Sequence, residues 1–367
     1  MAQYRVGIIG TGRPRRETGA TGFGMSHLHA RGYRASGRCE IVALADVKTE
    51  NAEAFREDQE IPQARIFEDY RQLLREARPD IVSVCTWPHL HAEMVTACAE
   101  AGVRAVHCEK PMAPTWGAAR TMHDACVEQR VQLTFNHQRR FEAPYHTARR
   151  LLKEGAVGSV VQIQMACPNL FDWGTHWFDM LNFYNGDTPA AWVMGQIDAR
   201  EPRAAFGVQM ESQGLSYVGF QNGVRGLLIT GDTVPGEQGG PTGQRATLGA
   251  AQRVIGTAGV LEVAAPGSKL RLLGGEAPGW QEVPLDDAPG ATEGSIGAGI
   301  ADLLEALESG AEPELSSFKA RRATELIFAT YESARRRARV DLPLEIDDSP
   351  FQALLQAGEI GPSTRSE

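Results

Sequence analysis

The chain has 367 residues, more than one ordinary domain needs and enough for two domains that each bury a core. Hydrophobic residues make up 42% and charged residues 23%, as in average globular proteins, which argues against a disordered chain. The net charge of −9 disfavours non-specific nucleic-acid binding, and no stretch approaches the roughly 18 uninterrupted apolar residues of a membrane helix. We therefore expect neither a nucleic-acid nor a membrane partner.

The six cysteines contain no CxxC pair, and several lie inside apolar runs. Free, buried thiols in a reducing compartment fit this pattern better than a disulfide framework or a zinc site. The first residues lead directly into an apolar run, without the layout of a signal peptide. These features predict a cytoplasmic protein and no metal site.

The first third of the chain alternates short apolar runs with helical patterns. The runs are continuous and rich in β-branched residues, as in strands buried on both faces of a sheet: 4–9, 40–45, 80–85, 103–108 and 131–135. Helical stretches between them imply right-handed crossovers. This alternation predicts an α/β domain with a doubly wound parallel sheet over residues 1–135.

After about residue 150 the pattern changes to short strands separated by Gly, Asn-Gly and Pro. The predicted strands follow one another without long helices: 159–166, 190–198, 204–211, 215–220 and 224–230. One helix is predicted near 173–185 and a closing helix at about 317–338. This pattern predicts an α+β domain with an antiparallel sheet over 136–345. We expect a mobile loop at 231–245 and a frayed tail at 346–367.

The first predicted strand ends in Gly10-Thr11-Gly12, the start of a dinucleotide-binding fingerprint. The third glycine of the fingerprint is missing, because position 15 is Arg15. The acidic residue that binds the ribose normally follows the loop by about 20 residues, and Asp46 is too far for that. An insertion over 13–23 restores the spacing if the next helix starts near Gly24–Ser26.

This reading assigns Gly10, Gly12 and the amides of Gly24–Ser26 to the cofactor phosphates. Asp46 is assigned to the adenosine ribose, where its negative charge favours NAD over NADP. Three insertion arginines weaken that preference, since one of them could reach a 2′-phosphate. The alternative is a glycine-rich turn that binds nothing. The predicted cofactor-binding residues are Gly10, Thr11, Gly12, Arg13, Gly24, Ser26 and Asp46.

The segment Cys108-Glu109-Lys110-Pro111 resembles the Glu-Lys-Pro signature of the Gfo/Idh/MocA oxidoreductases. Other matches follow in the family's order: IFEDYRQLL, CTWPHLHAEM, FNHQRRFEAPYHTARRLLKEGAVGSV, DWGTHWFDML and ATYESARRRARVDLP. The resemblance covers residues 4 to about 343. It departs from the family in the cofactor-loop insertion, in Trp87, which replaces a proline, and in CPNLF, which replaces a Gly-Gly-Leu run.

The resemblance implies a Rossmann domain followed by a domain with an open-faced antiparallel sheet. It implies NAD as cofactor, with NADP possible, and sugars or cyclitols as substrates. It also implies a homodimer or homotetramer formed through the open sheet face, since such a surface favours association. The further residues expected at the cofactor are Thr86, Trp87, His91, Glu109 and Lys110.

The family's catalytic set corresponds here to Lys110, Asp172 and His176. Asp172 and His176 are four residues apart, so on one helix they would share a face. A neutral His176 could accept the hydroxyl proton while Asp172 fixes its tautomer. Lys110 follows a strand at the sheet's carboxyl edge and could stabilise alkoxide charge. The substrate-binding residues are predicted as Lys110, Asn136, Arg140, Asp172, Trp173 and His176.

Each of these residues has a structural alternative. Lys110 could be a solvated loop residue, Asp172 could only cap a helix, and His176 could be a satisfied core histidine. The tetrapeptide His-Leu-His-Ala occurs at 27–30 and at 89–92, and both pairs of histidines could flank one crevice. They could touch cofactor or substrate, bind a metal, or simply pack, and Trp177 is more consistent with a core residue than with a sugar contact.

The sequence therefore predicts an NAD(P)-dependent oxidoreductase that transfers a hydride between nicotinamide and a secondary alcohol or ketone of a sugar, sugar derivative or inositol. One alternative is redox-assisted glycoside cleavage with recycled NAD. Another is a non-catalytic sugar-sensing protein on the same fold. The sequence does not specify the substrate, the carbon that reacts or the direction of the reaction.

Overall fold

A computed structural model describes residues 4–12, 24–201, 203–231, 252–263, 270–274, 278–287 and 294–362. The predicted insertion at 13–23, including Arg13, lies outside the described residues, as do residues 232–245 of the predicted loop. Within the described ranges, no helix is both long enough and apolar enough to cross a membrane.

Strands and helices alternate over the first 135 residues, as the apolar runs predict. The elements are β1 (Tyr4–Ile9), α1 (Met25–Ala35), β2 (Cys39–Ala45), α2 (Thr49–Asp58), β3 (Arg65–Phe67), α3 (Tyr70–Ala77), β4 (Ile81–Val84), α4 (Pro88–Glu100), β5 (Ala105–Cys108), α5 (Trp116–Glu128) and β6 (Gln132–Phe135). A 3-10 helix follows at Gln138–Phe141. The short strand β3 was not predicted, because three residues with one exposed arginine give no readable pattern.

In the part of the chain that the structure describes, six strands form a parallel sheet in the order β3-β2-β1-β4-β5-β6. The strand order reverses between β1 and β4, where such sheets leave a crevice at their carboxyl ends. Every residue of β4 and β5 is buried, which explains why these strands are mostly apolar. The predicted Rossmann fold is confirmed.

The later elements contain more strands and fewer helices. They are α6 (Ala143–Lys153), β7 (Val160–Cys167), α7 (Gly174–Tyr184), β8 (Ala190–Asp198), β9 (Arg203–Ala205), β10 (Val208–Met210), β11 (Gln213–Phe220), β12 (Arg225–Gly231), β13 (Gln252–Gly256), β14 (Gly259–Val263), β15 (Leu270–Gly274), β16 (Trp280–Val283), α8 (Gly294–Ser309), α9 (Ser317–Arg336), β17 (Val340–Asp341) and α10 (Pro350–Gln356).

Nine of the described strands form the second sheet, in the order β16-β15-β14-β13-β7-β12-β11-β8-β17. Neighbouring strands are antiparallel except β7 and β12, which are parallel. One face packs against helices: α7 lies on β7 and β12, and the Thr330 hydroxyl of α9 is 2.7 Å from that of Ser216 on β11. The opposite face leaves Met194, Leu215 and Ile229 exposed. The predicted open-faced sheet is confirmed.

The chain forms two compact units, and neither is continuous in sequence. The first comprises residues 1–114, 118–141 and 289–321, and the second comprises 115–117, 142–288 and 322–367. This division differs from the predicted 1–135, 136–345 and 346–367, chiefly because α8 belongs to the first unit. The apolar periodicity of α8 predicts a buried face but contains no information about which sheet covers it.

Helix α8 completes the core of the first unit. Ile300, Leu303 and Leu304 are fully buried in the same apolar cluster as the residues of β1 and α1. The two helices approach closely at Gly32 of α1, where an added Cβ would lie 2.6 Å from Cδ1 of Ile300. A side chain at position 32 would therefore force the Ile300 side chain to move.

The predicted frayed tail is wrong for residues 350–356, which form α10. The Ser349 hydroxyl accepts a hydrogen bond from the Gln352 amide at the start of this helix. Phe351 is only 1% exposed, and its ring centroid is 5.3 Å from that of Tyr331 on α9. The helix is held by burial of its apolar side, a tertiary effect that local composition did not predict.

Candidate active site

The glycine loop after β1 adopts backbone angles that favour glycine. Gly10 has φ +85° and Gly12 has φ +71°. An added Cβ at Gly10 would lie 2.8 Å from the carbonyl oxygen of Cys85 and from Cγ2 of Thr86, so the loop passes directly against the end of β4. At Gly12 an added Cβ would meet no atom within 4 Å. This loop can therefore admit a ligand close to its backbone.

Asp46, which follows β2, is held by this loop. Its Oδ2 accepts hydrogen bonds from the amides of Thr11 (3.0 Å) and Gly12 (3.2 Å) and from the Thr11 hydroxyl (2.9 Å). Its Oδ1 accepts from the Lys48 amide (3.0 Å) and the Asn51 side chain (3.2 Å). The carboxylate therefore orders the glycine loop, in addition to the ribose contact predicted for it.

A cavity of about 430 Å³ lies at the carboxyl ends of β1, β2 and β4. Among the predicted cofactor residues, Gly10, Gly12, Asp46, Thr86 and Trp87 line this cavity. Its glycine-rich wall, its acidic side chain and its aromatic ring suit a phosphate, a ribose and an adenine base respectively. The residues present therefore fit the adenosine half of NAD.

Other predicted cofactor residues contact the protein itself. The Ser26 hydroxyl donates to the Thr11 carbonyl (2.9 Å) in a buried position and so fastens the glycine loop to α1. Gly24, with φ +62°, occupies the N-cap position of α1. His91 is fully buried, with Nδ1 3.0 Å from the Pro111 carbonyl and Nε2 3.1 Å from that of Thr86. Its ring braces two loops rather than facing the cavity.

The residues around the Glu-Lys-Pro signature form a buried group. Oε1 of Glu109 lies 2.9 Å from Nε2 of His29 and 2.7 Å from Nδ2 of Asn136. Asn136, predicted as a substrate contact, is 1% exposed, and its amide is used to hold this carboxylate. Lys110 follows directly, is half-buried, and precedes Pro111 through a cis peptide bond.

Arg140, also predicted as a substrate contact, is a buried residue of the first unit. Its guanidinium lies 2.7 Å from the Glu314 carboxylate, and its side chain is 0% exposed. Burial raises the pKa of Glu314, but the charges of Arg140 and Lys319 outweigh burial and lower it below its usual value. The structure therefore places Arg140 in a partly buried ion pair.

In the second unit, the predicted catalytic pair lies at the start of α7. Helix α7 begins at Gly174 with Trp173 at the N-cap position, so Asp172 lies in the preceding turn and is not the cap residue. The Asn169 side chain accepts hydrogen bonds from the amides of Asp172 (2.7 Å) and Trp173 (3.0 Å). Asp172 is therefore outside the helix that contains His176, so helical spacing does not place the two side chains on one face. The hydrogen bond from its amide to Asn169 fixes the backbone of Asp172.

The side chains that follow are mostly buried. His176 is 5% exposed, and the Trp173 and Trp177 rings meet edge to face with centroids 5.9 Å apart. Trp177 is 1% exposed, in agreement with its interpretation as a core residue. Trp173 remains partly exposed beside Asp172. Asp172 thus lies in the turn before α7, Trp173 at its N-cap position and His176 in its first turn.

Two residues that support this turn were missed by the sequence reasoning. Asn169 precedes Asp172 by three residues, a spacing at which an asparagine side chain commonly accepts backbone amides, so its role was readable. Glu211 is fully buried and accepts hydrogen bonds from the Leu170 amide (2.5 Å) and the Tyr331 hydroxyl (2.6 Å). Its partners are distant in sequence, so no local pattern could reveal it.

Three of the four histidines in the repeated tetrapeptide are buried and contact the protein itself, whereas His89 is exposed. His27 Nδ1 lies 2.9 Å from Asp58, His29 and His91 are buried as described above, and His89 lines the 430 Å³ cavity. No group of three or more His, Cys, Asp or Glu side chains among the described residues is arranged to hold a metal ion. All six cysteines lie in the described ranges and are free.

Residues 4–137 match the family model GFO_IDH_MocA, described as an oxidoreductase family with an NAD-binding Rossmann fold. This match agrees with the glycine loop, the position of Asp46 and the cavity beside them. The predicted resemblance to the Gfo/Idh/MocA oxidoreductases is confirmed for this part of the chain. NAD is the cofactor that the family's fold binds.

Known proteins resemble the chain in sequence and in fold. An inositol 2-dehydrogenase from Paracoccus denitrificans is 33% identical over 45% of this chain and 46% of its own length, and a D-apiose dehydrogenase from Paraburkholderia graminis is 32% identical over 41% and 39%. The matches thus span less than half of these curated relatives. An oxidoreductase from Agrobacterium radiobacter, solved with NAD⁺, L-tartaric acid and magnesium, shares the fold over 93% of this chain and 98% of its own, with a TM-score of 0.75 and 18% identity.

Proposed function

We propose that the protein is an NAD-dependent dehydrogenase or reductase that acts on a secondary alcohol or ketone of a sugar, sugar derivative or inositol. The observation that carries this proposal is the arrangement of the first unit, where Lys110 follows β5 in the same sheet whose β1, β2 and β4 ends form the cofactor cavity. The names of the sequence relatives, an inositol 2-dehydrogenase and a D-apiose dehydrogenase, support the substrate class.

NAD is proposed over NADP because of Asp46. Its carboxylate lines the cavity where the adenosine ribose is expected, and it would repel a 2′-phosphate. The same carboxylate also orders the glycine loop through the amides of Thr11 and Gly12. The six free cysteines support a reducing compartment, and we infer a cytoplasmic location from them.

Bound NAD supplies the carbon that accepts or donates the hydride. In the proposed mechanism, His176 accepts the hydroxyl proton of an alcohol substrate as hydride leaves its carbon. Asp172 is proposed to orient His176 and to stabilise its charged form. Lys110 is proposed to donate a hydrogen bond to the reacting oxygen and to stabilise the developing negative charge. Trp173, partly exposed beside Asp172, is proposed to contact the apolar face of the sugar.

Formation of reduced nicotinamide in the presence of a panel of sugars and cyclitols tests the reaction class. In addition, Lys110→Ala and His176→Ala should each lower kcat by about 100-fold or more with little change in NAD affinity. Lys153→Ala, at an exposed lysine that ends α6, is the matched control and should turn over normally.

Near-normal turnover in the Lys110 or His176 variant would remove that residue from the mechanism. Tightly bound NAD with no net formation of NADH, but with cleavage of glycosides, would favour the redox-assisted alternative. NAD binding with neither reaction would favour the sugar-sensing alternative.

We also propose that the open face of the second sheet binds a second copy of the chain. Met194, Leu215 and Ile229 on this face are 49%, 41% and 39% exposed. The strand register places Leu215 opposite Ile229, and Tyr217 opposite Met194, so these side chains form one patch across three neighbouring strands. Contiguous apolar patches of this kind are commonly association surfaces, and closed symmetric pairing is the usual way to cover them.

A further inference from the structure

A line of buried polar side chains connects α1 to the Glu-Lys-Pro signature of the first unit. The Tyr33 hydroxyl lies 3.0 Å from the Ser83 hydroxyl, which is 3.0 Å from Nδ1 of His29. Nε2 of His29 is 2.9 Å from Oε1 of Glu109, and Asn136 donates to the same oxygen at 2.7 Å. Tyr33, Ser83 and His29 are 0% exposed, and Glu109 is 6% exposed. Buried polar groups are usually hydrogen-bonded, and Tyr33, Ser83, His29 and Glu109 are bonded to one another in this way.

The direction of the central hydrogen bond follows from the chemistry of the carboxylate. An ionised glutamate can only accept, so His29 must donate from Nε2. Nδ1 of His29 is then free to accept from the Ser83 hydroxyl, which in turn can accept from Tyr33. The second oxygen of Glu109 accepts the backbone amide of Lys110 at 3.3 Å. The carboxylate is therefore fixed from both sides and adjoins Lys110.

The ionised state of Glu109 depends on these donors. Burial alone raises the pKa of this carboxyl group, but the hydrogen bonds from His29 and Asn136 and the charge of Lys110 outweigh burial and lower the pKa below its usual value. Without the His29 donor, fewer interactions would oppose the effect of burial, and the pKa of Glu109 would be higher. Glu109 would then take up a proton at a higher pH.

Other titratable groups also face Glu109 in the described part of the chain. Cys85 of the loop after β4 is partly buried and Cys108 of β5 is buried, and burial raises the pKa of both thiols, so they carry no charge near neutrality. Burial lowers the pKa of His91 on α4 and lowers that of His107 on β5 to about 3, so both rings are neutral there. His29 and Lys110 are therefore the facing groups that determine the charge of Glu109.

We propose that His29 is a positioning residue for the dehydrogenase, and that its Nε2–H keeps Glu109 ionised and fixed so that the Glu109 carboxylate holds the Lys110 ammonium in place. This inference rests on the proposed function of Lys110 at the reacting oxygen. The carboxylate supplies a fixed negative charge next to a cation that must point at the substrate. Without the His29 donor, the Glu109 carboxylate would take up a proton more readily, and the negative charge near Lys110 would be lost.

The test compares His29→Leu with His29→Gln, because the glutamine amide can donate to Glu109 and leucine cannot. In His29→Leu, kcat should fall about tenfold or more at about pH 6 and recover as pH rises and Glu109 ionises again. His29→Gln should restore most of kcat at the lower pH. His27→Gln, on the same helix but bonded to Asp58 and Gln59, is the matched control and should leave the profile unchanged.

Infrared spectroscopy provides a readout that does not require turnover. A band from a protonated buried carboxyl should appear near neutral pH in His29→Leu, be absent in the wild type, and disappear when Glu109→Gln is added to His29→Leu. If this band appears but neither the wild type nor any variant has activity on any substrate, the proposed function fails, while the effect of His29 on the ionisation of Glu109 is supported.

A uniform loss of kcat at every pH, with no rescue by His29→Gln, would overturn the proposal. If His29→Leu does not fold, Glu109→Gln tests the proposal by itself, because glutamine has nearly the same shape as glutamate but no charge. It should lower kcat about tenfold at all pH values, and normal activity in that variant would overturn the proposal.

Discussion

His107 lies in the middle of β5 with no exposed surface, and its Nδ1 is 2.9 Å from the Thr134 hydroxyl. That hydroxyl donates to the Val106 carbonyl, so it must accept from His107, and the proton of the neutral ring resides on Nδ1. Burial, assisted by His29, lowers the pKa of His107 from 6.5 to about 3. The ring therefore stays neutral in the folded protein at pH values where it is protonated in the unfolded chain.

This difference makes stability depend on pH. Between pH 6.5 and about 3 the unfolded chain binds one more proton at His107 than the folded chain does, so the free energy of unfolding falls as pH falls. We expect His107 to lower the free energy of unfolding by up to about 1.4 kcal/mol for each unit by which pH falls in this range. Asparagine can keep the donor to Thr134 but does not titrate, so His107→Asn should flatten the decline between pH 6 and 5.

Urea unfolding at pH 7, 6 and 5 measures this effect. His89→Asn, at an exposed histidine, is the matched control and should leave the slope as in the wild type. An equal decline in His107→Asn and wild type would mean that other groups, such as His91, control the acid sensitivity.

Individual residues of the site differed in how well the sequence predicted them. Gly10, Gly12 and Asp46 were predictable because they follow strands at fixed spacing, and the backbone angles there require glycine. Asn136 and Arg140 lie beside the carboxylates of Glu109 and Glu314 in the first unit, and their contact with substrate stays a prediction. Sequence places a polar residue near a strand end, but only packing decides whether it faces a cavity or the core.

At the scale of secondary-structure elements, α10 shows how burial replaces intrinsic helix propensity. Helices this short are not stable alone in water, so α10 depends on the packing of Phe351 against Tyr331. Removing the ring leaves a cavity that its neighbours fill only in part. Phe351→Ala should therefore lower the free energy of unfolding by about 3 to 5 kcal/mol.

Phe318→Ala on α9, where the ring is 48% exposed, is the matched control and should cost less than about 1 kcal/mol. Chemical unfolding of both variants gives the comparison. If both substitutions lowered the free energy of unfolding equally, Phe351 of α10 would not be part of the stabilising core.

The strands and helices themselves were largely predictable, and the exceptions share a cause. Buried parallel strands such as β4 and β5 are mostly apolar, and this pattern predicted them. The three-residue strand β3 and the helix α10 are too short to show a period. The pairing of β7 with both β12 and β13 joins segments far apart in sequence, which local patterns do not encode.

At the scale of the whole molecule, the open sheet face determines the expected assembly. A charge placed in the patch would have to be buried without a partner in a dimer or tetramer, and such burial is costly. Leu215→Glu should therefore convert an oligomer into monomers. Because position 215 is exposed on the sheet face, each monomer should still fold. Light scattering coupled to size-exclusion chromatography measures the mass.

Val127→Glu, at an exposed position of α5 in the first unit, is the matched control and should leave the mass unchanged. A wild-type protein that is monomeric at high concentration would contradict the assignment of this face to self-association. A Leu215→Glu variant that keeps its oligomeric mass would mean that another surface forms the contact.

Because α8 belongs to the first unit, that unit cannot finish folding until α8 has been synthesised. The nascent chain completes β6 long before α8 is made, and at ordinary elongation rates the wait is roughly 10 to 30 s. During that time the apolar side of α1 has no α8 against which to pack, since Ile300, Leu303 and Leu304 are not yet synthesised. The nucleotide-binding unit can therefore reach its full core only late in translation, and chaperones that recognise exposed apolar surface should engage it before then.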